Sequence, residues 1–304
     1  MSLSPCGIEY VINPDGTPGV NWRIFTGCEN WHNGVCGGGG QDFFCWAKRL
    51  AEGRLKRFYP YGFEPTFYPE QLRDPEDIWK HQTIAVSFMG DLFGDWPEAK
   101  RATHSESPMA PLPIKIESMD YVRQRVIGVV WNSPQHTFLF LTKCPWNLPK
   151  CNPWPGKAPW PDNAFVGATA TDSITFAAAY FHLAQVQARH KYISLEPLLN
   201  WDLRTTEPMI HQASQAGVSW VIIGAMTGSK AEIICLSATG RFLSFKVMPY
   251  GNKWSLQPPV SWVREIEAAC DREEIKLWLK LNLRPLLGCS DLRQELPETI
   301  PISY

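Results

Sequence analysis

No stretch of the chain reaches the roughly 18 consecutive apolar residues of a membrane-spanning helix, and no apolar core of a secretory signal opens it. Both absences predict a soluble, cytoplasmic protein with no membrane partner. A charge excess is also missing. Lys and Arg number 29 against 30 Asp and Glu, so the net charge is −1 and charged residues make up 19% of the chain. That balance lacks the footprint of a strongly basic duplex-binding protein, while leaving room for a local patch. A disulfide framework is not indicated either. The nine cysteines are odd in number, and Cys6, Cys144, Cys151, Cys235, Cys270 and Cys289 are scattered through a long chain. No GxGxxG follows the first strand, which removes the dinucleotide fingerprint. No Lys-Ser/Thr follows Gly37 to Gly40, so the phosphate-loop motif fails as well.

What is abundant is proline (26) and tryptophan (14), which predicts many ordered loops with aromatic packing. The 304 residues allow one large α/β domain or two ordinary ones. Short apolar runs recur at 22–26, 83–88, 137–141, 164–168, 191–195, 219–223 and 275–279, with helical segments expected at 47–57, 119–131, 173–189, 209–216 and 260–273. The runs are continuous rather than alternating, as expected of parallel strands buried on both faces. Strand and helix alternate, which gives a barrel or a doubly wound sheet. The fold class predicted is α/β, a partial (β/α) barrel of about six to seven parallel strands. Residues 1–20 are expected to be a leader or short hairpin, 21–290 a single barrel-like domain, and 291–304 a tail. Insertions are expected near 97–118, irregular, and near 231–256, as a β-hairpin around Ala238-Thr239-Gly240.

The most distinctive stretch is 22–50. It starts as a strand, ends in a basic helix, and places Cys28, Cys36 and Cys45 in the glycine-rich loop between them. The spacing C-x7-C-x8-C is not that of a zinc finger, which needs four ligands in tight pairs. Three thiolates leave one iron of a [4Fe–4S] cluster open to a small molecule. A structural zinc site is the other reading of the same thiols, with His32 as a weak further ligand. In a barrel, chemistry gathers at the C-terminal ends of the strands. Those ends carry Cys28, Asp91, Thr142, Lys143, Thr169, Glu196, Gly224, Lys280 and Asn282. His136 precedes a strand and is not read as catalytic.

Several segments together resemble a phage and bacterial family often called three-Cys-motif proteins, itself similar to radical SAM enzymes. They are Phe25-Thr26-Gly27-Cys28, Cys45-Trp46-Ala47, Met89-Gly90-Asp91-Leu92-Phe93, Pro134-Gln135-His136-Thr137-Phe138 with Leu141-Thr142-Lys143, Ser194-Leu195-Glu196-Pro197-Leu198-Leu199, and Trp220-Val221-Ile222-Ile223-Gly224. The resemblance covers most of 20–285 and implies a partial (β/α) barrel with a [4Fe–4S] cluster on Cys28, Cys36 and Cys45. It implies S-adenosylmethionine as co-substrate, cleaved to a 5′-deoxyadenosyl radical, and a reductant protein as partner. By analogy, Asp91 meets the methionyl amine, and Glu196 or Thr169 meets the ribose. Thr142 is counted with the cofactor-binding strand ends. Gly224 lets backbone approach the adenine, and Lys143 and Lys280 meet a carboxylate or phosphate. A nucleic-acid base or nucleotide is the substrate class this family suggests. The chain departs from the family in one place: eight residues separate Cys36 from Cys45, where two are usual. That leaves open whether Cys36 is the middle ligand. The competing functions are a metal-stabilised module acting with a partner protein, and a metal-free barrel hydrolase built on the carboxylates of Asp91 and Glu196.

Overall fold

Apolar runs bounded by turn residues become the strands of one large sheet. The computed structural model describes residues 3–30, 45–102, 115–151, 159–288 and 292–297. Contacts divide the chain into two units. The first is Met1–Val166 with Val186–Arg189 and Ile300–Tyr304, and the second is Gly167–Gln185 with His190–Thr299.

In the first unit the elements are β1 (Leu3–Pro5), β2 (Val20–Trp22), β3 (Phe25–Thr26), α1 (Trp46–Glu52), β4 (Thr66–Phe67), β5 (Thr83–Val86), β6 (Glu98–Arg101), β7 (Lys115–Ser118), α2 (Met119–Asn132) and β8 (Thr137–Thr142). Strand β9 (Ala164–Ala170) spans the division. The second unit continues with α3 (Ser173–Leu183), β10 (His190–Leu195), α4 (Thr206–Gln215), β11 (Val218–Ile223), β12 (Met226–Gly228), α5 (Lys230–Ser237), β13 (Lys246–Tyr250), β14 (Lys253–Gln257), α6 (Val260–Arg272), β15 (Lys276–Leu279) and α7 (Arg284–Leu287).

Eight strands hydrogen-bond in the order β1-β2-β5-β8-β9-β10-β11-β15. Strands β2, β5 and β8 run parallel, as do β10, β11 and β15, whereas β1 is antiparallel to β2. All of β5 and β9 is buried, which is why these strands read as unbroken apolar runs. From β2 onward the order follows the sequence without reversal, so the sheet has no topological switch point of the doubly wound kind. Strand β1 covers the edge of β2 at one end of the sheet, and at the other Trp278 of β15 bridges Gln294. The helices are opened by caps. Ser118 accepts from Tyr121 N–H at α2, and Asp172 with Thr175 forms a capping box at α3. Helix α6 turns a stripe of Val263, Ile266, Ala269 and Cys270 inward.

Several segments differ from the sequence expectation. The helices expected over 47–57 and 173–189 end at Glu52 and Leu183. The strand expected over 22–26 breaks after Trp22. The Trp22 carbonyl takes the Ser87 N–H and the Ile24 carbonyl takes the Tyr68 N–H, so the chain leaves one sheet for another between them. The hairpin expected around Ala238-Thr239-Gly240 is instead helix α5, opened by the Ser229/Glu232 capping box, followed by a β13–β14 hairpin that turns near Gly251 (φ 56). The ends of the irregular 97–118 segment pair as the antiparallel hairpin β6–β7, while 103–114 lies outside the described residues. The tail from 298 onward also lies outside them. Residues 3–20 supply β1 and a turn in which Asn13 accepts the Thr83 N–H, tying them to the start of β5.

The start of β8 holds a pH-sensitive joint. His136 is 1% exposed, its Nδ1 accepts the Gln82 N–H (3.1 Å), and its Nε2–H donates to the Pro75 carbonyl (2.9 Å). Burial lowers its pKa below the ordinary 6.5. The unfolded chain therefore binds more protons than the native one below that pH, and stability falls as pH drops from 6.5 toward the lowered native value. The urea midpoint is expected to decline between about pH 7.5 and about pH 5, and less steeply in His136→Gln. An equal slope in both proteins would remove His136 as the cause.

Candidate functional site

Cys28 follows a backbone that only glycine can form. Gly27 has φ +81, and a Cβ on it would stand 2.0 Å from the Glu64 carbonyl oxygen. Gly27 forms a parallel bridge with Gly90, and a Cβ on Gly90 would in turn stand 2.7 Å from the Gly27 carbonyl oxygen. Cys28 is 8% exposed; its N–H donates to the Phe63 carbonyl, and its sulfur accepts the Asn30 N–H at 3.3 Å. Cys45 is the N-cap of α1, and its sulfur accepts the Lys48 N–H at 3.4 Å. Cys36, His32 and Gly37 to Gly40 lie outside the described residues. Among the described residues, no group of three or more His, Cys, Asp or Glu is placed to hold a metal ion.

Asp91 sits at the centre of a buried network, 4% exposed. Its Oδ1 accepts from Thr142 Oγ1 (2.7 Å) and Phe93 N (3.0 Å), and its Oδ2 from Asn30 Nδ2 (2.9 Å) and Lys143 N (2.9 Å). Four donors of this chain thus occupy the four acceptor directions of a carboxylate. Burial raises its pKa above the usual value, against the opposing pull of Thr142 and of the Lys143 and Phe93 N–H groups. Cys144 closes the ring, its thiol donating to Asn30 Oδ1 (3.4 Å) and its N–H to Thr142 Oγ1 (2.9 Å). The following loop is pinned too. Arg123 donates to the carbonyls of Leu92 and Gly94, and Asn147 to the Phe93 carbonyl and to Asp95. Asp91, Thr142 and the Lys143 backbone are therefore brought together beside Cys28, and Asp91 holds the loop rather than facing an open space.

In the second unit, Glu196 and Lys280 form an ion pair just beyond β10 and β15, with side chains 28% and 13% exposed. Gly224 lies between them. A Cβ there would stand 3.1 Å from Lys280 Cδ and 3.2 Å from Glu196 Cγ. Asn282 grips the Ala225 backbone, accepting its N–H and donating to its carbonyl, both at 2.9 Å. The register sets Ser194 against Ile222 and Ile222 against Trp278, one row below Glu196, Gly224 and Lys280 on the same face. Ser194 Oγ, Tyr192 Oη and Trp278 Nε1 are buried there without a hydrogen-bond partner among the described residues. Thr169 is 8% exposed. Asn30, Cys144 and Ser194 were not anticipated as site residues. Only Ser194 carried a signal, since it stands two residues before Glu196 on one strand.

A family profile matches residues 114–236. The chain is similar there to a family described only as a protein of unknown function, DUF5131. The match spans α2 to α5, including Thr142, Lys143, Thr169, Glu196 and Gly224, and contains neither Asp91 nor any of Cys28, Cys36 and Cys45. No curated protein matches the chain, and no solved structure does.

Proposed function

We propose that this chain is a radical SAM-type enzyme that binds a [4Fe–4S] cluster through Cys28, Cys36 and Cys45, with S-adenosylmethionine as co-substrate. The observation that carries the reading is the placement of two of the three thiols. Each sulfur accepts a backbone N–H, which fixes Cys28 and Cys45 at the start and the end of the cysteine loop. Bound there, the cluster would supply the electron that opens the sulfonium of S-adenosylmethionine. A partial (β/α) barrel belongs to the same proposal, supported by a strand order that follows the sequence from β2 to β15.

The chain's own residues have distinct parts in it. Asp91 and Thr142, with the Lys143 backbone, hold the loop bearing Cys28. Glu196, held by Lys280, would accept from a ribose hydroxyl, and the Ser194 hydroxyl, without a partner among the described residues, would bond a second, with Thr169 as the other candidate. Gly224 has no side chain to crowd the pair, and its bare backbone is what would let an adenine edge come close. Lys143 is the cation for a substrate carboxylate or phosphate, which suits a nucleotide or nucleic-acid base, whereas Lys280 is committed to Glu196. A reductant protein is required as partner. No helix among the described residues is long and apolar enough to cross a membrane.

A second reading, a metal-stabilised module working with a partner protein, is favoured by one feature. Asp91 has no acceptor direction left for a ligand amine. Anaerobic reconstitution with iron and sulfide, then reduction with S-adenosylmethionine, separates the two. The enzyme reading expects about four irons per chain and 5′-deoxyadenosine, both lost in Cys36→Ala. Stoichiometric zinc without iron would sink it and leave the module.

A further inference from the structure

We infer that Asn30 is the positioning residue of the Cys28 sulfur, coupling it to the buried Asp91 carboxylate. Asn30 is 0% exposed and lies two residues past Cys28. Its backbone N–H is the donor to Cys28 Sγ, and both ends of its side-chain amide are committed elsewhere. Nδ2 donates to Asp91 Oδ2, and Oδ1 accepts from the Cys144 thiol. The orientation of the amide follows from its neighbours, because the carboxylate can only accept and the thiol is the donor on the other side. Thr142 completes a closed ring by accepting the Cys144 N–H and donating to Asp91 Oδ1. Three backbone segments, 28–30, 91–93 and 142–144, are thereby fixed together, and the N–H aimed at Cys28 inherits their rigidity. Groups that orient a ligand in this way typically change metal affinity by about 10- to 100-fold when removed.

The role in metal affinity rests on the reading of Cys28 as a ligand, whereas the positioning itself does not. The test therefore has two arms. In the first, the metal-free protein is treated with iodoacetamide under native conditions, and each cysteine is followed by peptide mass spectrometry. Cys6 (5% exposed) reports general loosening of the first unit, and Cys270, whose thiol burial pushes up to about 12, reports the second. Asn30→Ala is expected to raise Cys28 labelling about tenfold or more, since two hydrogen bonds holding the segment are lost, with Cys6 and Cys270 nearly unchanged. Cys144→Ser keeps a donor to Asn30 and is expected to label Cys28 as the wild type does. Should Asn30→Ala fail to fold, Cys144→Ala removes a single link, and a smaller but selective rise at Cys28 is expected. Unchanged Cys28 labelling, or Cys28 and Cys6 rising together, overturns the proposal.

In the second arm, ferrous iron with sulfide is titrated into the wild type and Asn30→Ala. A loss of affinity of about 10- to 100-fold in the variant is expected. A wild type that takes up no iron defeats the cluster reading and leaves the labelling result to decide the positioning role. Equal uptake by both proteins defeats the coupling to the metal.

Discussion

Gly27→Ala is expected to destabilise the first unit by about 4 kcal/mol or more and to dislodge Cys28 from its place. Two effects add. An alanine at φ +81 meets the left-handed penalty of roughly 1–2 kcal/mol, and its methyl would lie 2.0 Å from the Glu64 carbonyl oxygen and 2.8 Å from that of Phe63. Both obstacles are backbone, so no side-chain rotation relieves them, and the Phe63 carbonyl is the acceptor of the Cys28 N–H. Gly62→Ala is the matched control, with φ +62 and nothing within 4 Å of its Cβ, so it is expected to cost only about 1–2 kcal/mol. Urea unfolding and amide exchange at Cys28, Gly90 and Asp91 measure the difference. Equal costs in the two variants would mean that the close approach of 27 to 63–64 has no energetic weight.

Asp91→Asn is expected to cost about 3 kcal/mol, because the new amide cannot satisfy the site in either orientation. Each carboxylate oxygen receives two donors, so whichever oxygen becomes an NH2 points donors at donors. Part of that loss is offset, since burial already raises the carboxyl's pKa and its removal relieves a buried charge. Thr142→Val keeps the shape and removes one of the four bonds, and about 1.5 kcal/mol is expected. The urea midpoint ranks the two variants, and a Thr142→Val as damaging as Asp91→Asn would contradict the count of donors. If Asp91 instead served a ligand amine alone, its replacement would lower affinity with little change in the midpoint.

These two positions also separate what a local pattern can convey from what it cannot. The parallel strands were legible because burial on both faces writes itself as an apolar run, and turn residues mark where each run stops. The strand-end residues Thr142, Glu196 and Lys280 were located for the same reason. The break after Trp22 left no such trace, because no turn residue interrupts Trp22 to Thr26 and the break depends on which remote N–H groups take its carbonyls. Helix α5 was legible in principle from Ser229 and Glu232, a capping box masked by the turn signal at Gly240.

The sequence alone therefore determined the α/β class, the parallel character of most of the sheet, and the grouping of cysteines between the first apolar run and the first helix. Periodicity and spacing are local properties, and a few residues carry them. Tertiary structure alone decided that Asp91 is saturated by four internal donors, that Asn30 stands between Asp91, Cys28 and Cys144, and that Glu196 pairs with Lys280 across 84 positions. Whether a polar group is spent on the protein or left for a ligand depends on partners brought close by folding, and sequence spacing does not record them.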